Sequence, residues 1–97
     1  MNKYILDGKT PVVENDVIKW AEWFEKADRH VAENIIGEVV IATVFLGLGN
    51  NWGKGKPILF ETMIFGGEHD GYRERYYAWE EAENGHEKAV KLVKETK

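Results

Sequence analysis

The chain contains no cysteine and no serine. Without cysteine there is no disulfide, no zinc–thiolate centre and no thiol nucleophile. Without serine the commonest hydroxyl nucleophile is missing too, and Thr43 with His30 is a weak surrogate for an activated hydroxyl. Positive charge is not in excess. Lys and Arg number 13 against 17 Asp and Glu, a formal net charge of -4, which disfavours a general grip on nucleic acid. No apolar run approaches the roughly 20 residues of a membrane span, and Met1-Asn2-Lys3-Tyr4 lacks a signal-peptide core. Histidine occurs at only three positions, His30, His69 and His86, with no spacing that is diagnostic of a metal site. These absences lead us to expect a cytoplasmic protein with no cofactor, no membrane association and no general nucleic-acid binding.

What remains is an ordinary globular composition with a rich aromatic share of 12 %, including Trp20, Trp23, Trp52 and Trp79. Large aromatic side chains let a small domain bury much area per residue. The length of 97 residues fits one domain spanning residues 1–97.

Tyr4 to Val13 reads as two short extended pieces around an Asp7-Gly8 turn. Asn15 or Asp16 can cap a helix that runs to about Asp28. Its apolar stripe is Val17, Trp20, Ala21, Phe24 and Ala27, with Trp23 beside it. Four strands follow: His30–Ile36, Glu38–Leu48, Ile58–Phe65 and Tyr72–Tyr77. A second helix opens at Ala78 or Trp79, with Glu80, Glu81 and Glu83 early and Lys88, Lys91 and Lys94 late, the order that suits the helix dipole. Its stripe is Trp79, Ala82, His86, Ala89 or Val90, and Val93. Gly85 costs about 1 kcal/mol there relative to alanine, so a close contact with the sheet is expected. The expected fold is α+β: a four-stranded antiparallel meander with an N-terminal and a C-terminal helix packed on one face.

The second and third strands are apolar on both alternating faces, and each carries a polar residue at its centre, Thr43 and Glu61. A strand that buries one face alternates apolar with polar. Both faces of this sheet must therefore be covered or used. Setting the registers from loop midpoints places His30 opposite Thr43, Thr43 opposite Glu61 and Glu61 opposite Arg75, a polar row across one face. The same registers put Val31, Ile35, Val40, Ala42, Val44, Leu46, Ile58, Phe60, Thr62, Ile64, Tyr72 and Tyr76 on the face that takes the helices. The other face then holds His30, Asn34, Val39, Ile41, Thr43, Phe45, Leu59, Glu61, Met63, Phe65, Arg73, Arg75 and Tyr77. Its greasy surface with specific polar groups suits a subunit interface or a ligand site. A salt bridge from Glu61 to Arg73 or Arg75 across neighbouring strands is the plainer account of the charges.

The Gly47–Lys56 loop is glycine-rich, but Pro57 and a strand follow it, where a phosphate-binding loop leads into a helix. It reads as a flexible hairpin loop in which Trp52, Lys54 and Lys56 can stack on a base or grip a partner. Glu68-His69-Asp70 carries acid–base and metal-ligating groups, yet a solvated polar turn accounts for them.

The stretch Ala42-Thr43-Val44-Phe45-Leu46-Gly47-Leu48-Gly49-Asn50-Asn51-Trp52-Gly53, followed by Leu59-Phe60-Glu61-Thr62-Met63-Ile64-Phe65-Gly66-Gly67, resembles a family of small uncharacterised proteins of phages and prophage regions. Arg75-Tyr76, Trp79-Glu80-Glu81-Ala82-Glu83 and Gly85-His86 resemble its C-terminal pattern. The resemblance covers roughly residues 15 to 95, and Phe60–Phe65 is its most specific part. Ala78 departs from the family pattern, in which a helix-capping Thr is common. The family has no assigned activity or catalytic residue, so the resemblance implies only a phage context and the host cytoplasm.

The leading expectation is a non-enzymatic binding protein, a homodimer or a host-protein binder, with Val39, Ile41, Phe45, Leu59, Met63 and Phe65 at the interface. The alternative is a small-ligand site, such as one for a nucleotide, built from His30, Asn34, Thr43, Glu61, Arg73, Arg75 and Tyr77. Metal-assisted hydrolysis stands third.

Overall fold

A computed structural model describes residues 2–50 and 55–96 of the chain. Its elements run β1 (Tyr4–Asp7), β2 (Thr10–Val13), α1 (Val17–Lys26), β3 (His30–Ile36), β4 (Val39–Asn50), β5 (Ile58–Phe65), β6 (Arg73–Tyr76) and α2 (Trp79–Glu95). β1 and β2 form a two-stranded antiparallel hairpin. β3 to β6 form a four-stranded antiparallel sheet in chain order. The architecture is α+β, with helices packed against the sheet.

α1 starts where Asp16 accepts the backbone N–H groups of Ile18 and Lys19 at 3.0 and 3.1 Å, satisfying two of the donors a helix start leaves free. Its inward side is Trp20, Trp23, Phe24 and Ala27; Val17 and Ala21, expected in the stripe, are exposed. Trp20 Nε1 donates to the carbonyls of Tyr4 and Gly47 at 3.1 and 3.2 Å, which ties α1 to β1 and β4. Trp23 meets Phe45 edge to face with centroids 5.7 Å apart, a favoured aromatic geometry.

α2 lies across β3, β4, β5 and β6. Ala82, Gly85, His86, Ala89 and Val93 form its buried side. Ala78 at the N-cap has no side-chain acceptor. Glu81 reaches back instead, its Oε1 accepting from the backbone N–H groups of Ala78 and Tyr77 at 3.0 and 3.2 Å. That is the carboxylate half of a capping box. Gly85 is explained by close approach: a Cβ there would overlap the phenol of Tyr76. Two apolar clusters lie beneath α2. One joins Ile41 and Ile64 to Ala89 and Val93. The other joins Phe45, Leu59 and Phe60 to Ala82.

The registers differ from expectation in two of three strand pairs. The β3–β4 turn is Gly37-Glu38, with Gly37 at φ +61°, and it sets Ile36 opposite Val39. A glycine at the first central position suits a two-residue hairpin that needs positive φ there. Thr43 consequently faces Ala32, and an irregularity between His30 and Ala32 leaves His30 opposite Val44. Across β4 and β5, Thr43 pairs with Thr62 and Val44 with Glu61. Only Glu61 opposite Arg75 matches the expected register.

A one-residue slip exchanges the faces of a strand. In β4 it turns Val39, Ile41, Thr43 and Phe45 towards α2, where Ile41, Thr43 and Phe45 are fully buried. Val39, Ile41 and Phe45 therefore cannot serve as interface residues while α2 is in place. Val40, Ala42 and Val44 move to the opposite face. The expected row His30–Thr43–Glu61–Arg75 is divided between the two faces.

Candidate functional site

The face away from α2 is ordered by the registers into rows. Ile35, Val40 and Phe65 make one row. Glu33, Ala42, Met63 and Arg73 make the next, and His30, Val44, Glu61 and Arg75 the third. Ile35 is 68 % exposed and Phe65 49 %. Val40, Val44 and Met63 are half-buried. No described helix covers this face, and it carries large apolar side chains beside charges, as expected of an interaction surface.

Glu61 is 6 % exposed in the middle of this face. Arg75 Nε donates to its Oε2 at 2.8 Å, and the Arg75 side chain remains about half exposed, at 47 %. A nearly buried carboxylate needs such a partner. The pair ties β5 to β6 and leaves the Arg75 side chain accessible to solvent. Arg73 makes no ion pair among the described residues. At the β3 edge His30 lies between acids, Nδ1 3.0 Å from Asp28 and Nε2 3.7 Å from Glu33. The His30 backbone N–H, which donates to Asp28 Oδ1 at 3.0 Å, and then its ring Nδ1 hold the Asp28 carboxyl below its ordinary range. The face thus has an acidic edge at β3 and a basic edge at β6.

The opposite face carries a polar chain under α2 that the sequence reading did not assemble. His86, 4 % exposed, has Nε2 2.7 Å from Asn34 Oδ1 and Nδ1 2.7 Å from Thr43 Oγ1. Thr43 and Thr62 hydroxyls lie 2.5 Å apart, and Tyr76 donates to Thr62 at 3.1 Å. With Asn34 Oδ1 as acceptor, Nε2 carries the imidazole proton and Nδ1 accepts from Thr43. Thr43 then accepts from Thr62, and Thr62 from Tyr76. Every hydroxyl in the chain is satisfied with all groups neutral. Burial pushes the His86 pKa down and the Tyr76 pKa up, each towards the neutral form.

A groove of about 550 Å³ opens beside this chain between β3 and α2, lined by Ala32, Asn34, Glu83, His86, Glu87, Val90, Lys91 and Lys94. Its size lies in the range of small-molecule sites. Asn34, which lines the groove, and Thr43, which lies in the buried chain beside it, were expected on one polar face with Glu61 and Arg75.

The remaining expected site residues scatter. Tyr77 is exposed just beyond β6. Leu59 is 2 % exposed within the Phe45–Phe60 cluster, so it is core. Trp52 lies outside the described residues. Asp70 accepts the Gly66 N–H at 2.7 Å, and His69 Nε2 lies 2.8 Å from Thr96 Oγ1, so the Glu68-His69-Asp70 loop is tied to the end of α2. Among the described residues no group of three His, Asp or Glu is placed to hold a metal ion. No helix among them is long and apolar enough to cross a membrane. Sequence reasoning missed Ile35, Val40 and Glu33 on the open face. The β4–β5 register, with Thr43 opposite Thr62 and Val44 opposite Glu61, is what places them there.

Fold and surface define an α+β domain with one helix-covered and one open sheet face. No family model, curated protein or solved structure significantly matches the chain.

Proposed function

We propose that the protein is a small phage-type accessory protein that acts by binding, and that it engages a protein partner through the open face of the β3–β6 sheet. The observation that carries this reading is the row Ile35–Val40–Phe65, whose end residues are 68 % and 49 % exposed on a face with no described covering element. Exposed apolar residues beside an ion pair and an unpaired arginine form the kind of surface that partners desolvate. The phage context rests on the sequence resemblance alone.

Hydroxyl-radical footprinting tests it. Met63 and Phe65 are expected to label strongly in dilute purified protein and weakly in a concentrated lysate of the expressing cells. Equal labelling of both residues in the two samples would sink the reading.

The groove beside His86 favours a second reading, a small polar ligand held between Asn34, His86 and the lysines of α2. A nucleotide panel that raises the melting temperature of the protein, with the rise lost in Lys91→Ala, supports it. A flat response across the panel removes it.

A further inference from the structure

We infer that the partner of the open sheet face is a second copy of this chain, packed sheet to sheet about a two-fold axis that runs along the strands. The inference rests on the proposed use of this face and names its occupant.

The argument is the arrangement of charge along one row. Glu33, Ala42, Met63 and Arg73 lie side by side across β3, β4, β5 and β6. The acid stands at one edge and the base at the other, with small and large apolar residues between. Neighbouring strands lie about 4.8 Å apart, so the two charges are separated by about 14 Å, too far to pair within one sheet. A two-fold axis along the strands, between β4 and β5, lays β3 of one copy over β6 of the other. Glu33 then meets Arg73 of the second copy, and the symmetric contact forms at the far edge. Ala42 meets Met63, a small residue against a long flexible one. Val40 meets Phe65. Every contact is made twice, as an isologous interface requires.

The other in-plane axis, across the strands, lays β3 on β3 and β6 on β6. It brings the acidic Asp28–Glu33 edge onto itself and Arg73 and Arg75 onto their own copies. Like charges facing each other disfavour that arrangement. Charge therefore selects between the two ways in which this face can pair with itself. Aligned packing of twisted sheets, with strands about 30° apart, fits the selected axis.

The footprint sets the strength. Four strands, averaging about eight residues, offer roughly 500 Å² per copy, or about 1,000 Å² in total, the lower bound for a specific interface. A dimer that dissociates in the micromolar range is expected, not an obligate one.

The test is sedimentation equilibrium from micromolar to millimolar concentration, with circular dichroism to verify folding of each variant. The wild-type chain is expected to pass from one to two chains in mass. Glu33→Arg places like charges together at both edges, as does Arg73→Glu, and each alone is expected to weaken association at least about tenfold. Mixing the two variants restores opposite charges at both edges, so the mixture is expected to dimerise where neither variant does. The double variant Glu33→Arg/Arg73→Glu is expected to recover as well. A wild-type chain that stays monomeric at millimolar concentration overturns the inference, and so does a dimer whose charge variants fail to complement. Monomer in solution with Met63 protected in the lysate leaves the open face in use by another protein. Monomer with Met63 equally labelled everywhere removes both readings.

Discussion

The Thr43 hydroxyl lies 2.7 Å from Nδ1 of His86, joining the centre of β4 to the middle of α2. Both residues are nearly inaccessible to solvent, so neither has water as a substitute partner. Thr43→Val keeps the shape and removes the hydroxyl. It leaves His86 Nδ1 and the Thr62 hydroxyl each short of a partner. A loss of about 1–3 kcal/mol is expected, which for a chain of this size lowers the melting temperature by several degrees. Thr43→Ser keeps the hydrogen bonds and loses a methyl group, at about 1 kcal/mol. Urea midpoints for the two variants check the order. A valine variant as stable as the serine variant would show that the hydroxyl chain contributes nothing.

The same contact predicts a pH dependence. Burial lowers the His86 pKa in the folded state, opposed by the smaller effect of the nearby Glu87 carboxylate. Asn34 and Thr43 face the two ring nitrogens and carry no charge. The unfolded chain therefore binds a proton at His86 before the folded chain does. Stability is constant above the unfolded histidine pKa of about 6.5 and falls as pH drops below it, until the folded imidazole is protonated as well. Asp28 acts in a lower window, since its depressed pKa contributes stability that is lost only in the acid range. Urea midpoints measured from alkaline pH down to about pH 5 are expected to show the fall. A His86→Leu variant, less stable at alkaline pH, is expected to lose most of the slope. An unchanged slope in that variant would place the proton uptake elsewhere.

The element order, the four-strand antiparallel sheet, the buried side of α2 and the Glu61–Arg75 pairing were all readable from pattern. Each had a local signal: alternation broken by loops, spacings of three and four, or opposite charges on adjacent strands. The register of β4 was not readable. Its residues from Val39 to Leu46 are apolar except Thr43, so a shift by one residue exchanges two apolar sets and leaves no misplaced charge to object. Setting Thr43 opposite Glu61 instead of Thr62 was enough to send it to the wrong face, whereas moving the first turn from Ile36-Gly37 to Gly37-Glu38 slides β3 by two residues and leaves the faces unchanged. The buried chain of hydroxyls was hidden by the same error, because Thr43 meets Thr62 and His86 only in the true register. In the open face, Glu61, Met63, Phe65, Arg73 and Arg75 were placed correctly, since β5 and β6 kept their mutual register.

Gly85 offers a test in which helix propensity and packing oppose each other. Gly→Ala within a helix ordinarily adds about 1 kcal/mol of stability. Here the new methyl group meets the Tyr76 ring, which is held by its hydrogen bond to Thr62. Overpacking of this kind costs about 1–3 kcal/mol. Gly85→Ala is expected to lower the melting temperature, and Tyr76→Ala to lower it too. Combining them removes the clash, so the double variant is expected to be more stable than the sum of the two losses predicts. Strict additivity would mean that α2 and β6 are not in close contact at this point.

Arg75 separates the cost of burying Glu61 from the value of the ion pair. Arg75 is about half exposed, and solvent screens its charge, so the pair is not expected to contribute what a fully buried bridge would. Glu61 is nearly buried, and removing its partner leaves a carboxylate among Val44 and Met63. Arg75→Met is expected to cost about 1–3 kcal/mol, mostly from the unpaired carboxylate. Adding Glu61→Gln to that variant replaces the charge with a neutral amide and is expected to recover part of the loss. Glu61→Gln alone keeps an acceptor for Arg75 and is expected to cost less than Arg75→Met. A thermodynamic cycle over the four proteins measures the coupling. If Arg75→Met proves harmless, Glu61 draws its stability from groups other than Arg75, and the arginine is free to serve a partner across the open face.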